Sequence, residues 1–165
     1  MTTQKYSLRL LLLESTTHIK HHPLIQTLAQ SVTHIEFPQN WSVICTQAHQ
    51  GDCIVRLHLV HDPTDFDGIF VDLIEAVNAT TLEPDPACLQ KGYATQMLTL
   101  LTQAADKTRT PLKLTAAPTL DEFAQQVLET PTAEELLRIY SGYGFKSVGK
   151  NSWGELTMER PVTHT

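Results

Sequence analysis

The stretch Leu89-Gln90-Lys91-Gly92-Tyr93-Ala94-Thr95, running straight on into Gln96-Met97-Leu98-Thr99-Leu100-Leu101-Thr102-Gln103-Ala104-Ala105, decides how the rest of the chain is read. Ala94, Leu98, Leu101 and Ala105 recur at helical spacing, so they line one face of an amphipathic helix that begins near Tyr93. Gly92 just before it can adopt backbone angles that other residues avoid and lets a ligand approach the main chain. The first amides of such a helix have no internal acceptor and sit at the positive end of its dipole, which makes an anion site suited to phosphate. On these residues alone, the plainer reading of Gly92, a turn before a core helix, carries more weight, because a short glycine-containing helix start is a weak motif.

Upstream, Gly68 to Val77 is strongly apolar, interrupted only by Asp72 and Glu75, and reads as a central strand with both faces covered. Asn78 to Cys88, with Pro84 and Pro86, reads as the loop joining that strand to the helix. Downstream, Leu112, Leu114 and Ala116 alternate within Pro111 to Ala117 and resume the sheet. Strand, helix and strand in that order imply a right-handed parallel crossover. Farther out, Trp41 to Gln47 and Cys53 to His61 read as a hairpin around His49 to Asp52. His34 to Asn40 reads as a loop or short strand. Tyr6 to Leu13 reads as a first strand, and Pro23 opens a short helix carrying Leu24, Ile25, Leu28 and Ala29. Thr119 with Glu122 predicts a helix to about Leu128, and Thr132 with Glu135 predicts another to about Tyr140. Phe145 to Val148 and Trp153 to Glu159 read as a closing hairpin. The fold class is mixed α/β: an antiparallel N-terminal half, a parallel joint and a C-terminal hairpin.

The chain of 165 residues, 41% hydrophobic, fits a single domain over 1–165. Its formal net charge of −6 disfavours non-specific nucleic-acid binding. Leu10 to Leu13 is too short for a signal core or a membrane span, so the expectation is a soluble, cytoplasmic protein with no membrane partner. Of three cysteines, Cys45, Cys53 and Cys88, none forms a Cys-x-x-Cys pair, so neither a disulfide framework nor a zinc site is indicated. Among eight histidines, His18, His21 and His22 cluster, but no Cys or paired carboxylate completes a metal site, and none is expected.

Two separated segments resemble one family. Gln90-Lys91-Gly92-Tyr93-Ala94-Thr95 after a central strand resembles the acetyl-coenzyme A loop of the GNAT superfamily of N-acetyltransferases, Gln/Arg-x-x-Gly-x-Gly/Ala. Ile139-Tyr140-Ser141-Gly142-Tyr143-Gly144-Phe145 resembles that family's Leu-Tyr-x-x-x-Gly-Phe, and a hairpin ending Met158-Glu159-Arg160-Pro161 follows.

The resemblance implies that the strands at Gly68 to Val77 and Pro111 to Ala117 splay around the cofactor. Main-chain groups of Ile74, Ala76 and Val77 would pair with the pantetheine arm, and Leu89, Gln90, Lys91, Gly92, Tyr93, Ala94 and Thr95 would hold the diphosphate. Acetyl-coenzyme A would be the co-substrate, with no metal, and a primary amine of a small molecule, peptide or protein the acceptor.

A protonated amine is no nucleophile, so a base is needed, for which Glu75 and Asp72 are the candidates; Tyr140, which matches the family's tyrosine near the sulfur, would protonate the thiolate. Three apart on a strand, Asp72 and Glu75 are expected on opposite faces. The sequence departs from the family at Leu89, where Gln or Arg is usual, in the long loop Asn78 to Cys88, and in the helix at Thr119. A non-catalytic GNAT-fold binding domain and a toxin-like acetyltransferase of aminoacyl-tRNA are the other readings, and a homodimer stays open.

Overall fold

The computed structural model describes residues 18–117 and 131–162. The strand expected at Tyr6 to Leu13 and the helix expected at Thr119 to Leu128 lie outside them.

After a 3-10 turn at Ile19–His21 comes helix α1, Pro23–Ala29. Pro23 sits at its start, where a missing N–H costs nothing, and His22 Nδ1 accepts from Leu24 N at 3.1 Å as the N-cap. Four strands follow: β1 His34–Gln39, β2 Ser42–Ala48, β3 Cys53–Val60 and β4 Ile69–Asn78. The alternation along β3 is fully expressed, with Cys53, Val55, Leu57 and Leu59 buried and their neighbours half-buried. The segment His34 to Asn40 thus holds β1, an edge strand among the described residues. It tolerates Pro38 because an edge has an unused N–H side. Helix α2 is Tyr93–Thr108, β5 Leu112–Thr115, helix α3 Ala133–Gly142, β6 Lys146–Lys150 and β7 Leu156–Arg160.

The seven strands form one sheet in the order β1-β2-β3-β4-β5-β7-β6. Only β4 and β5 run parallel, and they pair through just three positions, Ile69 with Leu112, Phe70 with Lys113 and Val71 with Leu114. Gly68 allows this joint to close, since Ile69 N donates to Pro111 O at 3.0 Å and a Cβ on Gly68 would collide with that carbonyl. Beyond Val71 the two strands part.

One face of the sheet carries the core. Leu24, Ile25 and Leu28 of α1 and Met97, Leu98, Leu101, Ala104 and Ala105 of α2 pack with Val55, Leu57, Leu59, Ile69, Val71, Leu112 and Leu114. Each Leu, Ile, Val or Met among them stabilises the fold by about 1.5–3 kcal/mol, so α2 is held by its apolar stripe more than by helix propensity. Arg160, also buried, joins β7 to two helices. Its Nη atoms donate to Asp106 of α2 at 2.7 and 3.1 Å, and its Nε donates to Tyr143 O beyond α3 at 2.6 Å.

Three expectations change. Cys53 and Cys88 are disulfide-bonded, with Cα atoms 5.4 Å apart, leaving Cys45 as the one free, buried thiol. Folding of the loop after β4 brings together two cysteines that are 35 positions apart, and no local motif encodes that. The last strand begins at Leu156, not at Trp153. Asn151 Oδ1 accepts from Trp153 N and Glu155 N and builds a turn there, which leaves Trp153 83% exposed.

Asp72 and Glu75 share a face. Register slips between His58 and Leu59 of β3, so Asp72 is an extra residue in β4, a bulge. Arg56 and His58, two apart on β3 and so on one face, hold Glu75 and Asp72 respectively. No helix among the described residues is long and apolar enough to cross a membrane.

Candidate active site

Where β4 and β5 separate, the edge of β4 has no strand beside it among the described residues, and a cavity of about 360 Å³ opens against it. Three consecutive β4 residues, Ile74, Glu75 and Ala76, line it. Consecutive residues on a strand point to alternate faces, so what they share toward the gap is main chain. Val77, expected beside them, is fully buried and not part of this wall.

The far end of the cavity is formed by Leu89, Gln90, Lys91, Gly92, Tyr93, Ala94 and Thr95, the whole of the expected loop. Gln90 has φ +56° and Gly92 φ +77°, so the chain turns twice through the left-handed region before α2 starts. At Gly92 a Cβ would meet only Thr95 Oγ1, at 3.6 Å, so the glycine serves the backbone angle and the space above it. No side chain caps the helix here, and Thr95 Oγ1 instead donates to Gly92 O at 2.9 Å. The first-turn amides are thereby left for something else. An uncapped helix start and an unpaired strand edge in one cavity suit a ligand carrying both phosphate and amide groups.

The roof comes from α3. Thr132 and Glu135 form a reciprocal capping box, as the spacing predicts. Glu135, Leu136, Ile139 and Tyr140 then face the cavity. Tyr140 is 8% exposed, packs edge-on against Phe145 with ring centroids 5.8 Å apart, and burial pushes its phenol pKa up. Its hydroxyl has no hydrogen-bond partner among the described residues. Tyr143, which the sequence reading passed over, fixes the roof: its hydroxyl shares a 2.9 Å hydrogen bond with Thr99 Oγ1 and donates to Thr95 O at 3.3 Å, tying the end of α3 to the first turns of α2. The Gly-Tyr-Gly pattern around it was its only local signal.

A second cavity, of about 640 Å³, meets the first at Ala117. Asp62, Asp65, Asp72 and Glu155 line it together with Lys113 and Lys150. Of the two acids in β4, Glu75 thus borders the first cavity and Asp72 the second. Glu75 is engaged by Arg56 Nη2 at 2.5 Å. Asp72 Oδ2 lies 2.9 Å from His58 Nδ1, and that hydrogen bond holds its carboxyl below the usual range.

No protein-family model matches the chain, and no curated protein matches it. The solved structures similar to it in outline include two at 17% identity. An acyl-CoA N-acyltransferase from Pseudomonas aeruginosa matches over 89% of this chain and 94% of its own, with a TM-score of 0.42. The anti-CRISPR protein AcrVA5 matches over 76% and 95%, with a TM-score of 0.38. By its own topology, with strand order, parallel joint, parted strands and closing hairpin as described, the fold is GNAT-like.

Proposed function

We propose that this protein is an N-acetyltransferase that uses acetyl-coenzyme A as co-substrate and a primary amine as acceptor. The observation that carries the reading is the parting of β4 from β5 over a cavity that holds an unpaired strand edge, an uncapped helix start at Gly92 and the Tyr140 hydroxyl. The co-substrate supplies an activated acetyl thioester. The edge of β4 would pair with its amides, and the Gly92 to Thr95 amides would take its diphosphate. Attack by the amine nitrogen forms the amide bond and breaks the carbon–sulfur bond. The nitrogen's proton goes to a carboxylate, Glu75 or Asp72, and Tyr140 gives its proton to the departing sulfur. Burial raises the phenol's pKa, so the hydroxyl stays protonated and can donate to the sulfur as negative charge develops on it.

The second cavity is the natural entrance for the acceptor. Its wall carries four carboxylates and two ammonium groups, which favours a cationic amine over an anionic one. A single domain over 1–165, a cytoplasmic setting and independence of metal, membrane and nucleic acid belong to the same proposal. The test is incubation with acetyl-coenzyme A and a panel of mono- and polycationic amines, read by mass spectrometry of the products. Acetylated amine, formed faster from polycations, is the expected result. Absence of transfer across the panel by the folded protein would remove the catalytic reading.

A further inference from the structure

The turn between β2 and β3 grips the Leu89 to Gly92 loop at both of its ends. On one side Cys53, the first residue of β3, is bonded to Cys88, the residue immediately before the loop. On the other side His49 lies flat on Tyr93, the residue immediately after it, with ring centroids 4.0 Å apart and 14° between planes. The two grips act as one body, because His49 N donates to Cys53 O at 2.9 Å and closes the turn between them. Asp52 in the same turn accepts from Ala79 N at 2.6 Å, where the segment after β4 begins.

The disulfide is the covalent tie between the far end of that segment and the sheet. From 79 to 92 it contains no helix or strand. Many of its hydrogen bonds are local: Asn78 Oδ1 with Thr80 N and Thr81 N, Asn78 N with Glu83 O, Asp85 with Ala87 N and Cys88 N. Loops of that kind open at low free energy unless tied down. His49 adds contact but no polar tie, since its Nε2 is buried with no partner and burial lowers its pKa, so the ring is held as neutral imidazole by stacking alone.

We infer that the Cys53–Cys88 pair is a redox-controlled brace: oxidised, it fixes the Leu89 to Gly92 loop so that the first-turn amides of α2 are presented to the cavity, and reduced, it lets the loop loosen and ligand affinity fall. What the loop binds rests on the acetyl-coenzyme A reading; the brace itself does not. Reduction by a dithiol is balanced. One of its thiolates attacks a protein sulfur, its second thiol displaces the mixed disulfide, two electrons pass to the pair, Cys53 and Cys88 each end as a thiol, and the reagent ends as its own disulfide. Both cysteines are nearly fully buried, 6% and 2% exposed, but Cys88 lines the cavity, which gives a small dithiol its route. The same geometry makes the effect reciprocal: a ligand filling the cavity shields the bond and, by linkage, opposes its reduction. In a cytoplasm, where disulfides are usually transient and redox-sensing, such a pair would report the thiol poise.

The test uses the whole protein in three forms: oxidised, reduced with dithiothreitol, and Cys53→Ser/Cys88→Ser. Thiol titration in denaturant should find one thiol in the oxidised form and three after reduction. Hydrogen exchange read by mass spectrometry should then quicken at least roughly tenfold across 88–95 on reduction, with α1 and the β1–β2 pair unchanged. Acetyl-coenzyme A affinity should fall about tenfold, and the double variant should match the reduced form with and without dithiothreitol. Three thiols after air oxidation, or loop exchange indifferent to reduction, would overturn the brace. Exchange that responds while acetyl-coenzyme A binds neither form supports the brace and fails the acetyltransferase reading instead. Should the double variant not fold, the comparison of oxidised with reduced parent carries the same decision.

Discussion

Tyr140 both packs and faces the cavity, and one substitution separates the two. Tyr140→Phe keeps the ring contact with Phe145 and removes a hydroxyl that has no partner in the described fold, so the melting temperature should hold. If the phenol protonates the leaving thiolate, the turnover number should fall at least roughly tenfold while the acetyl-coenzyme A dissociation constant changes less than about threefold. Steady-state kinetics beside calorimetry checks this, and a fully active variant would leave Tyr140 a packing residue. The acids are tested in parallel. Either Asp72→Asn or Glu75→Gln, but not both, should remove the acidic limb of the pH–rate profile, and two parental profiles would send the proton elsewhere. The sequence identified both acids but misread their geometry. Period-two alternation puts residues three apart on opposite faces, and the bulge at Asp72, where the strand carries one extra residue against His58 and Leu59, overrides it.

Helix starts were the most legible elements. The capping box at Thr132 and Glu135 and the proline at the head of α1 act locally, so their spacing alone reveals them. Less visible was His22 as the cap of α1, and it carries a pH signature. Burial first, and His61 at 5.0 Å second, lower its pKa from 6.5 to about 4. The unfolded chain therefore binds a proton that the folded chain does not between those values. Stability contributed by neutral His22 is present above about pH 6.5 and is lost as pH falls toward 4. Protonation also removes the Nδ1 acceptor that caps Leu24 N. His22→Asn retains a capping acceptor and cannot titrate there, so its melting temperature should vary less than the parent's across this window. Thermal scans at pH 7, 5.5 and 4 check it, and parallel curves would mean that His22 is not the group responsible. At the other end of the chain, Trp153 was drawn into a strand by its β propensity. The Asn151 side chain decides for a turn.

At the scale of the whole molecule, Arg160 binds the C-terminal hairpin to both helices over the cavity. Arg160→Met keeps most of the stem but leaves Asp106 and the Tyr143 carbonyl without their donor. With Asp106 half in solvent, the cost should be about 2 kcal/mol. Roughly 4–8 °C of melting temperature would follow for a chain of this size; an unchanged value would mark the pair as incidental. The parallel joint could be read ahead because β4 is a nearly continuous apolar run and β5 alternates in period two. The disulfide could not, because it depends on where a long loop comes to rest. In the proposed function the loop before α2 holds the diphosphate of acetyl-coenzyme A through main chain, and calorimetric titration of the oxidised protein and Gly92→Val tests that most directly. Valine at φ +77° strains the turn by about 1–2 kcal/mol and fills the space above it, so the parent should bind one equivalent saturably and the variant about tenfold more weakly or worse. Equal affinity in a folded variant, or no binding by the oxidised parent, would contradict it.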